Sequence, residues 1–265
     1  MRIVHLPCFL AAVAPALDAV AQESADALAK KLANPVASLI SVPLQYNIDF
    51  DIGTADGMKQ TFNIQPVIPT AISEDWNLIT RVIVPVVDQD DVFGDSGHQF
   101  GLGDINPTLF FSPKAPTAGG WILGAGPVFL LPSATDELLG AEKWGLGPSA
   151  LALKQTAEGL TYGALVNHIW SVAGDDDRAD VSNTFLQPFL AKQFPGGRTL
   201  TANLESSYDW NGGHWNVPFN LIYSKVTRVG GQMVSFAGGA RYYLETPGEG
   251  PDWGLRVVVT LLFPG

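Results

Sequence analysis

One pattern constrains this chain more than any other: apolar and polar side chains alternate with a period of two through long segments. The last of these, Trp253 to Phe263, reads WGLRVVVTLLF. Successive side chains of an extended strand point to opposite faces. Leu255, Val257, Val259, Leu261 and Phe263 therefore share one face, and Arg256, Val258, Thr260 and Leu262 share the other. A soluble sheet hides its apolar face in a core. A membrane barrel turns that face to lipid and keeps the polar one in a wet interior. Arg256 decides what its strand can be, because a charge facing acyl chains near the midplane costs about 2–4 kcal/mol.

The composition narrows the choice. Charged residues make up only 15%, against about 25% in an ordinary soluble domain. Twenty-eight glycines and 19 prolines suit many strands and turns and disfavour long helices. No uninterrupted apolar run reaches the ~18 residues that a membrane-crossing helix needs. A net charge of −11 without a basic stripe excludes a nucleic-acid partner.

Residues 1–21 read as a signal peptide. Arg2 is the positive start, Ile3 to Ala14 is largely apolar, and Ala19-Val20-Ala21 precedes Gln22 in the small-x-small pattern. The only cysteine, Cys8, lies there, so the mature chain has no disulfide or metal–thiolate chemistry. Residues 22–41 read as a short amphipathic helix and linker. Ser24 is the N-cap, Leu28, Leu32, Val36 and Leu39 recur at helical spacing, and Pro35 ends or kinks the helix. Its place is the membrane surface or the barrel mouth, unless it is only a linker.

Residues 42–265 read as the barrel, with twelve strand-like segments. Leu44, Tyr46, Ile48, Phe50 and Ile52 oppose Gln45, Asn47, Asp49 and Asp51 in the first. Phe62, Ile64 and Pro66 oppose Asn63 and Gln65 in the second, and Leu78, Val82 and Val84 oppose Asn77 and Arg81 in the third. The fifth and sixth, Gly120 to Pro132 and Trp144 to Lys154, are too apolar for their faces to be assigned. Acid concentrates on alternate connections: TADG at 54–57, DQDDVFGDSGH at 88–98, SATDELLGAEK at 133–143, GDDDRAD at 174–180, DWNGGHW at 209–215 and TPGEGPD at 246–252. The connections between these are tighter, such as SED at 73–75, TAEG at 156–159 and VGGQ at 229–232. Long loops at one end and short turns at the other, with an even strand number, are how outer-membrane barrels are built. Trp76, Trp121, Trp144, Trp210, Trp215 and Trp253 fall near strand ends, as interfacial girdles do, and Trp170 does not fit that scheme.

The phrases LAKKLANPVASLISVPLQYNIDFDIG from Leu28, GLGDINPTLFFSPK from Gly101, GPVFLLPSAT from Gly126 and KWGLGPSA from Lys143, with a terminal strand closing on LLFP, resemble one family. It is a proteobacterial outer-membrane group catalogued as MetA-pathway phenol-degradation-like, or as neuromedin U, transporters. The resemblance implies a single-chain outer-membrane barrel linked to the passage of small, often aromatic or hydrophobic, compounds.

Other chemistry is weaker. GLGDIN resembles a phosphate loop, but an alternating strand follows it where a helix is required, so its glycines read as a barrel bend. His168 with Ser171, or with a serine of a neighbouring strand, is the grouping that suggests a barrel lipase, and no nucleophile motif supports it. DQDD and DDDRAD lack EF-hand spacing and read as solvated loop acid, bridged by divalent ions to lipopolysaccharide.

The expectation is an all-β, single-chain antiparallel transmembrane barrel of about twelve strands with a short N-terminal helix. It sits among outer-membrane lipid and lipopolysaccharide and passes small solutes, with no cofactor and no metal. Lumen-lining positions are Gln45, Asn47, Asp49, Asn63, Gln65, Arg81, Asp104, Asn106, Asn203, Glu205, Arg241 and Arg256, joined by Asp51 and Glu245. The alternatives are a non-conducting barrel that binds through its acidic loops, and the lipase.

Overall fold

The computed structural model describes residues 25–248 and 250–263. The signal-peptide reading and the Ser24 cap lie outside those residues. A helix, α1, covers residues 25–32. Sixteen strand segments follow: β1 (Ile40–Ile52), β2 (Gly57–Ile64), β3 (Val67–Ala71), β4 (Trp76–Asp90), β5 (His98–Leu102), β6 (Asn106–Pro113), β7 (Trp121–Leu130) and β8 (Lys143–Gln155). The second half adds β9 (Leu160–Gly174), β10 (Ser182–Phe194), β11 (Arg198–Leu204), β12 (Ser206–Asp209), β13 (His214–Asn216), β14 (Pro218–Val229), β15 (Gln232–Tyr243) and β16 (Trp253–Phe263).

All join one antiparallel sheet that closes on itself. The first strand pairs with the last, Ile40 opposite Phe263 and Asn47 opposite Arg256. The short segments extend their neighbours: β2 with β3, β5 with β6, β11 with β12 and β13 with β14 each make one stave, giving a twelve-stave barrel. Closure leaves no edge of unpaired amides, which is what allows strands to stand in hydrocarbon.

The faces sort as lipid requires. In β16 Leu255, Val257 and Phe263 are exposed, while Arg256, Thr260 and Leu262 are buried. Phe236, Leu221, Leu190, Val166 and Leu123 continue the exposed apolar band around the wall. Connections alternate between a turn end and a loop end, and the loop end carries Asp91, Asp95, Asp136, Glu137, Glu142 and the 175–180 acids.

Aromatic girdles mark both ends. Trp76 and Trp121 lie at the turn end, where Trp121 meets Tyr162 edge-on at 6.0 Å. Trp144, Trp210, Trp215 and Trp253 lie at the loop end. Trp170 belongs with them: it is exposed near the end of β9, its ring 4.1 Å from that of His168. β9 reaches Gly174, which places Trp170 at the interface and not in mid-strand.

One parity expectation fails. Asp51 adopts a left-handed conformation (φ 59°), and the β1–β2 register shifts between Asp49 and Ile52. A bulge of this kind reverses the faces beyond it. Asp51 is therefore exposed, accepting from Trp253 Nε1 at 3.0 Å, and Ile52 is buried. Glu245 likewise lies exposed in the loop after β15.

The helix lies inside the barrel at its turn end. It stops at Leu32 because Pro35 has no amide to donate and disfavours helix in Asn34. The Asn34 side chain then turns the chain by accepting from Val36 N at 3.0 Å. Ala25, Leu28, Ala29 and Leu39 pack on the inward-facing Val226, Met233 and Leu262. Val36 packs on Ile79, Phe110, Leu151, Leu153 and Leu165 across the lumen. Gly124 makes room for it, since a Cβ there would stand 3.2 Å from Val36 Cγ1. Asn77 Nδ2 donates to Ser38 Oγ at 3.0 Å, and Gln155 Nε2 to the Lys30 carbonyl at 2.8 Å.

Candidate functional site: a charged lumen above an N-terminal plug

Two adjacent strands place guanidinium groups in the barrel because each keeps an arginine on its inward parity. Arg256 of β16 holds Glu205 with both terminal nitrogens, at 2.7 and 2.8 Å, and donates from Nε to Asn47 Oδ1 at 2.7 Å. Two parallel N–H···O bonds on one carboxylate fix its position as well as its charge. Arg241 of β15 reaches Asp49 at 3.4 Å and Glu205 at 4.0 Å, with its guanidinium carbon 5.4 Å from the Tyr243 ring centre. Gln187 of β10, the stave paired directly with β11 and β12, donates to Glu205 at 3.4 Å. Glu205 stands between β11 and β12, so a single carboxylate ties two regions of the wall together.

The remaining polar positions are distributed along the same arc. Gln45 donates to Asn47 at 3.5 Å, and Asn63 stands opposite Gln45 in the β1–β2 register. Gln65 accepts from Arg81 Nη2 at 3.0 Å. Asn220 donates to Asn203 at 2.8 Å. Asp104 and Asn106 stand apart from this network, near the loop end. Asp104 accepts from the amides of Ala134 (3.2 Å) and Ala141 (2.6 Å), and Asn106 donates to the Phe129 carbonyl at 2.6 Å. Lys59, absent from the expected set, faces Asp49 directly across the β1–β2 pair. Its signal was in the sequence, since Lys59 shares the parity of Asn63 and Gln65.

Four cations, Lys59, Arg81, Arg241 and Arg256, thus stand with two carboxylates, Asp49 and Glu205. Arg241 and Arg256 hold both carboxylates; among the described residues Arg81 has no carboxylate within 4.0 Å. Arg81 instead lines two cavities. One, about 390 Å³, lies toward the loop end, bounded by Asp104, Asn106, Asn167 and Asn183 and by Ile83, Phe110, Leu165, Ile169 and Phe185. The other, about 220 Å³, lies between the plug and the wall, bounded by Lys31, Leu32, Asn34 and Pro35 of the plug and by Gln65 and Gln187 of the barrel. Arg81 and Leu165 are shared by both. They stand where the two cavities adjoin.

The lumen is therefore two-sided, which the alternation did not reveal. Its β15–β16–β1–β2 side is polar. Its β6–β10 side turns Phe110, Val128, Leu151, Leu153 and Leu165 inward.

Two other groupings carry less. His168 faces outward, where its Nδ1 is 2.7 Å from Thr184 Oγ1, itself accepting from Trp210 Nε1 at 2.8 Å. Ser171 has the opposite parity and donates to Asp180 at 3.0 Å. The His168–Ser171 pairing expected of a lipase is thus split across the two faces of β9. Asp88, Asp90 and His98 bring one ligand atom each within 4.8 Å on the β4–β5 hairpin. The hairpin turn separates them in sequence, so DQDD alone did not show the histidine.

No family model matches the chain, and no curated protein matches it. Among solved structures it is similar to an outer membrane channel from Pseudomonas putida F1, with a TM-score of 0.68 at 14% identity, over 85% of this chain and 96% of that one. It is also similar to the NanC porin, with a TM-score of 0.51 at 9% identity, over 85% of this chain and 100% of that one. An outer membrane phospholipase of Salmonella typhi aligns at a TM-score of 0.46 and 14% identity, over 92% of this chain and 98% of that one. The first two place the fold among outer-membrane β-barrels.

Proposed function

We propose that the protein is an outer-membrane channel for passive diffusion of small solutes, with the junction at Arg81 and Leu165 as its selecting point. The observation that carries this is the pair of cavities that adjoin there, lined by the same two residues. A solute descending from the loop end passes Asp104 and reaches Arg81, which has no carboxylate within 4.0 Å among the described residues. Along the lumen Lys59, Arg81, Arg241 and Arg256 face Asp49, Asp104 and Glu205, four cations against three carboxylates. Rings of one charge sign set the sign of the ion that passes, so small anions cross in preference to cations. Arg241 and Arg256, locked on Asp49 and Glu205, brace the wall and contribute less to selection. The positions from Gln45 to Arg256 read from the alternation act in this proposal as the polar lining, and Asp51 and Glu245 do not. Membership of the phenol-degradation-like family belongs to the same proposal. It is supported by the likeness to a structure described as an outer membrane channel. Surrounding lipid, and lipopolysaccharide meeting the acidic loops through divalent cations, complete the setting.

The test is a planar bilayer. Purified protein gives discrete conductance steps with a reversal potential shifted toward the anion, and Arg81→Ala moves that potential toward the cation. Bilayers that stay silent with folded protein, including variants with a weakened plug, refute the channel. An unmoved reversal potential in Arg81→Ala removes Arg81 from the selecting point.

A further inference from the structure

We infer that the 390 Å³ cavity above Arg81 is a binding site for small monocarboxylates with an aliphatic tail, of roughly four to eight carbons. The inference rests on the channel reading and names what that channel takes. Its basis is the juxtaposition of one available guanidinium with a mostly apolar wall. Arg81 spends one N–H on Gln65 (3.0 Å) and has no carboxylate within 4.0 Å among the described residues. A guanidinium offers five donors in a planar fork that matches a carboxylate. Ile83, Leu165, Ile169 and Phe185 line the space around it, so a ligand that leaves an acid on Arg81 places its tail against hydrocarbon.

Three competing classes fit worse. A bare inorganic anion satisfies Arg81 and leaves the apolar wall wet. A neutral alcohol fills the wall and leaves the guanidinium uncompensated. A cation meets Arg81 head-on. Asp104 also lines the site, but the amides of Ala134 and Ala141 anchor it near the loop end, more than 4.0 Å from the Arg81 guanidinium. The volume lies in the range of about 300–1,000 Å³ usual for small-ligand sites.

The experiment compares hexanoate, acetate, hexan-1-ol and hexylammonium. Each is titrated calorimetrically against the protein in detergent micelles, and each is added in turn to conducting bilayers. Hexanoate is expected to bind at least tenfold more tightly than the other three and to interrupt the current at concentrations where they do not. Arg81→Gln lowers hexanoate affinity at least tenfold and leaves hexanol unchanged. Arg81→Lys, which keeps the charge, retains part of the preference. Phe185→Ser weakens hexanoate and leaves acetate alone. Equal binding of hexanoate and acetate, or of hexanoate and hexanol, by the unsubstituted protein overturns the inference without recourse to any variant. Conducting channels with no hexanoate preference sink this site and spare the channel. Tight hexanoate binding beside silent bilayers does the reverse.

Discussion

Weakening the plug should open the pore, and the structure says by how much. Leu28 is 4% exposed and packs on Val226, Met233 and Leu262; Val36 is also 4% exposed and packs in a second cluster with Ile79, Phe110 and Leu153. Leu28→Ala removes a buried side chain, at a cost of about 2–5 kcal/mol. The low end of that range is the least effect expected. Val36→Ala removes the equivalent of about two methylenes, roughly 1.6 kcal/mol. The clusters share no residue, so the two costs add. At about 1.4 kcal/mol per tenfold, the docked-to-undocked ratio falls roughly 30-fold for Leu28→Ala and several hundredfold for the pair. The wall keeps its own hydrogen-bonded closure, so the loss falls on docking and not on the barrel. Single-channel recording reads it: open probability and mean conductance rise in the order parent, single, double. Lys30→Ala, on the exposed face of the same helix, serves as the control and leaves both unchanged. The reasoning is refuted if the double variant, still migrating as a compact heat-modifiable barrel, conducts as its parent does.

Three further outcomes follow from other parts of the molecule. Glu205→Gln leaves two buried guanidinium groups without their shared carboxylate, a change that costs about 3–5 kcal/mol when a buried pair is broken; the urea midpoint of unfolding from lipid falls, and Glu205→Leu with Arg256→Met recovers most of it. The Lys143 ammonium and the Ser171 hydroxyl beside Asp180 hold its carboxyl below the usual carboxylate range, so the folded value lies below the unfolded one of about 3.9. The stabilisation is then complete above the unfolded value and lost as pH falls through the folded one. Amide protection in residues 175–181, taken relative to the intrinsic exchange rate at each pH, should fall below about pH 4, and in Lys143→Met that fall should disappear because the loop is already loose at neutral pH. Deleting 174–180 separates the channel from a barrel that binds through its loops: bilayer conductance survives the deletion, and its collapse would favour the loop-based role.

How much of this was readable in the residues depends on what each inward face has to touch. The β16 and β1 staves alternate cleanly because one side meets lipid and the other meets Glu205, Asn47 and water. Arg256 and Asp49 were visible for that reason. The Asp51 placement failed because a bulge is a backbone event, and nothing in DFDIG distinguishes φ 59° at Asp51 from continued extension. β7 and β8 were unreadable for a different cause. They are apolar on both faces: Leu123 and Leu146 meet lipid, while Val128, Leu151 and Leu153 turn inward.

An apolar inward face makes sense only when something apolar covers it, and at the turn end that cover is the plug. Val36 and the inward leucines of β8 are two halves of one burial, contributed by segments more than a hundred residues apart. Periodicity within a strand records which faces differ, not what lies against them. The amphipathic spacing of Leu28, Leu32, Val36 and Leu39 and the missing alternation of β7 and β8 were thus one signal in two places. The loop-end cavity continues the same apolar arc beyond the plug, through Leu165, Ile169 and Phe185, where no segment of the described chain covers it. Covering at the turn end and vacancy at the loop end give this arc its two uses: it holds the plug, and it presents hydrocarbon to whatever Arg81 draws in.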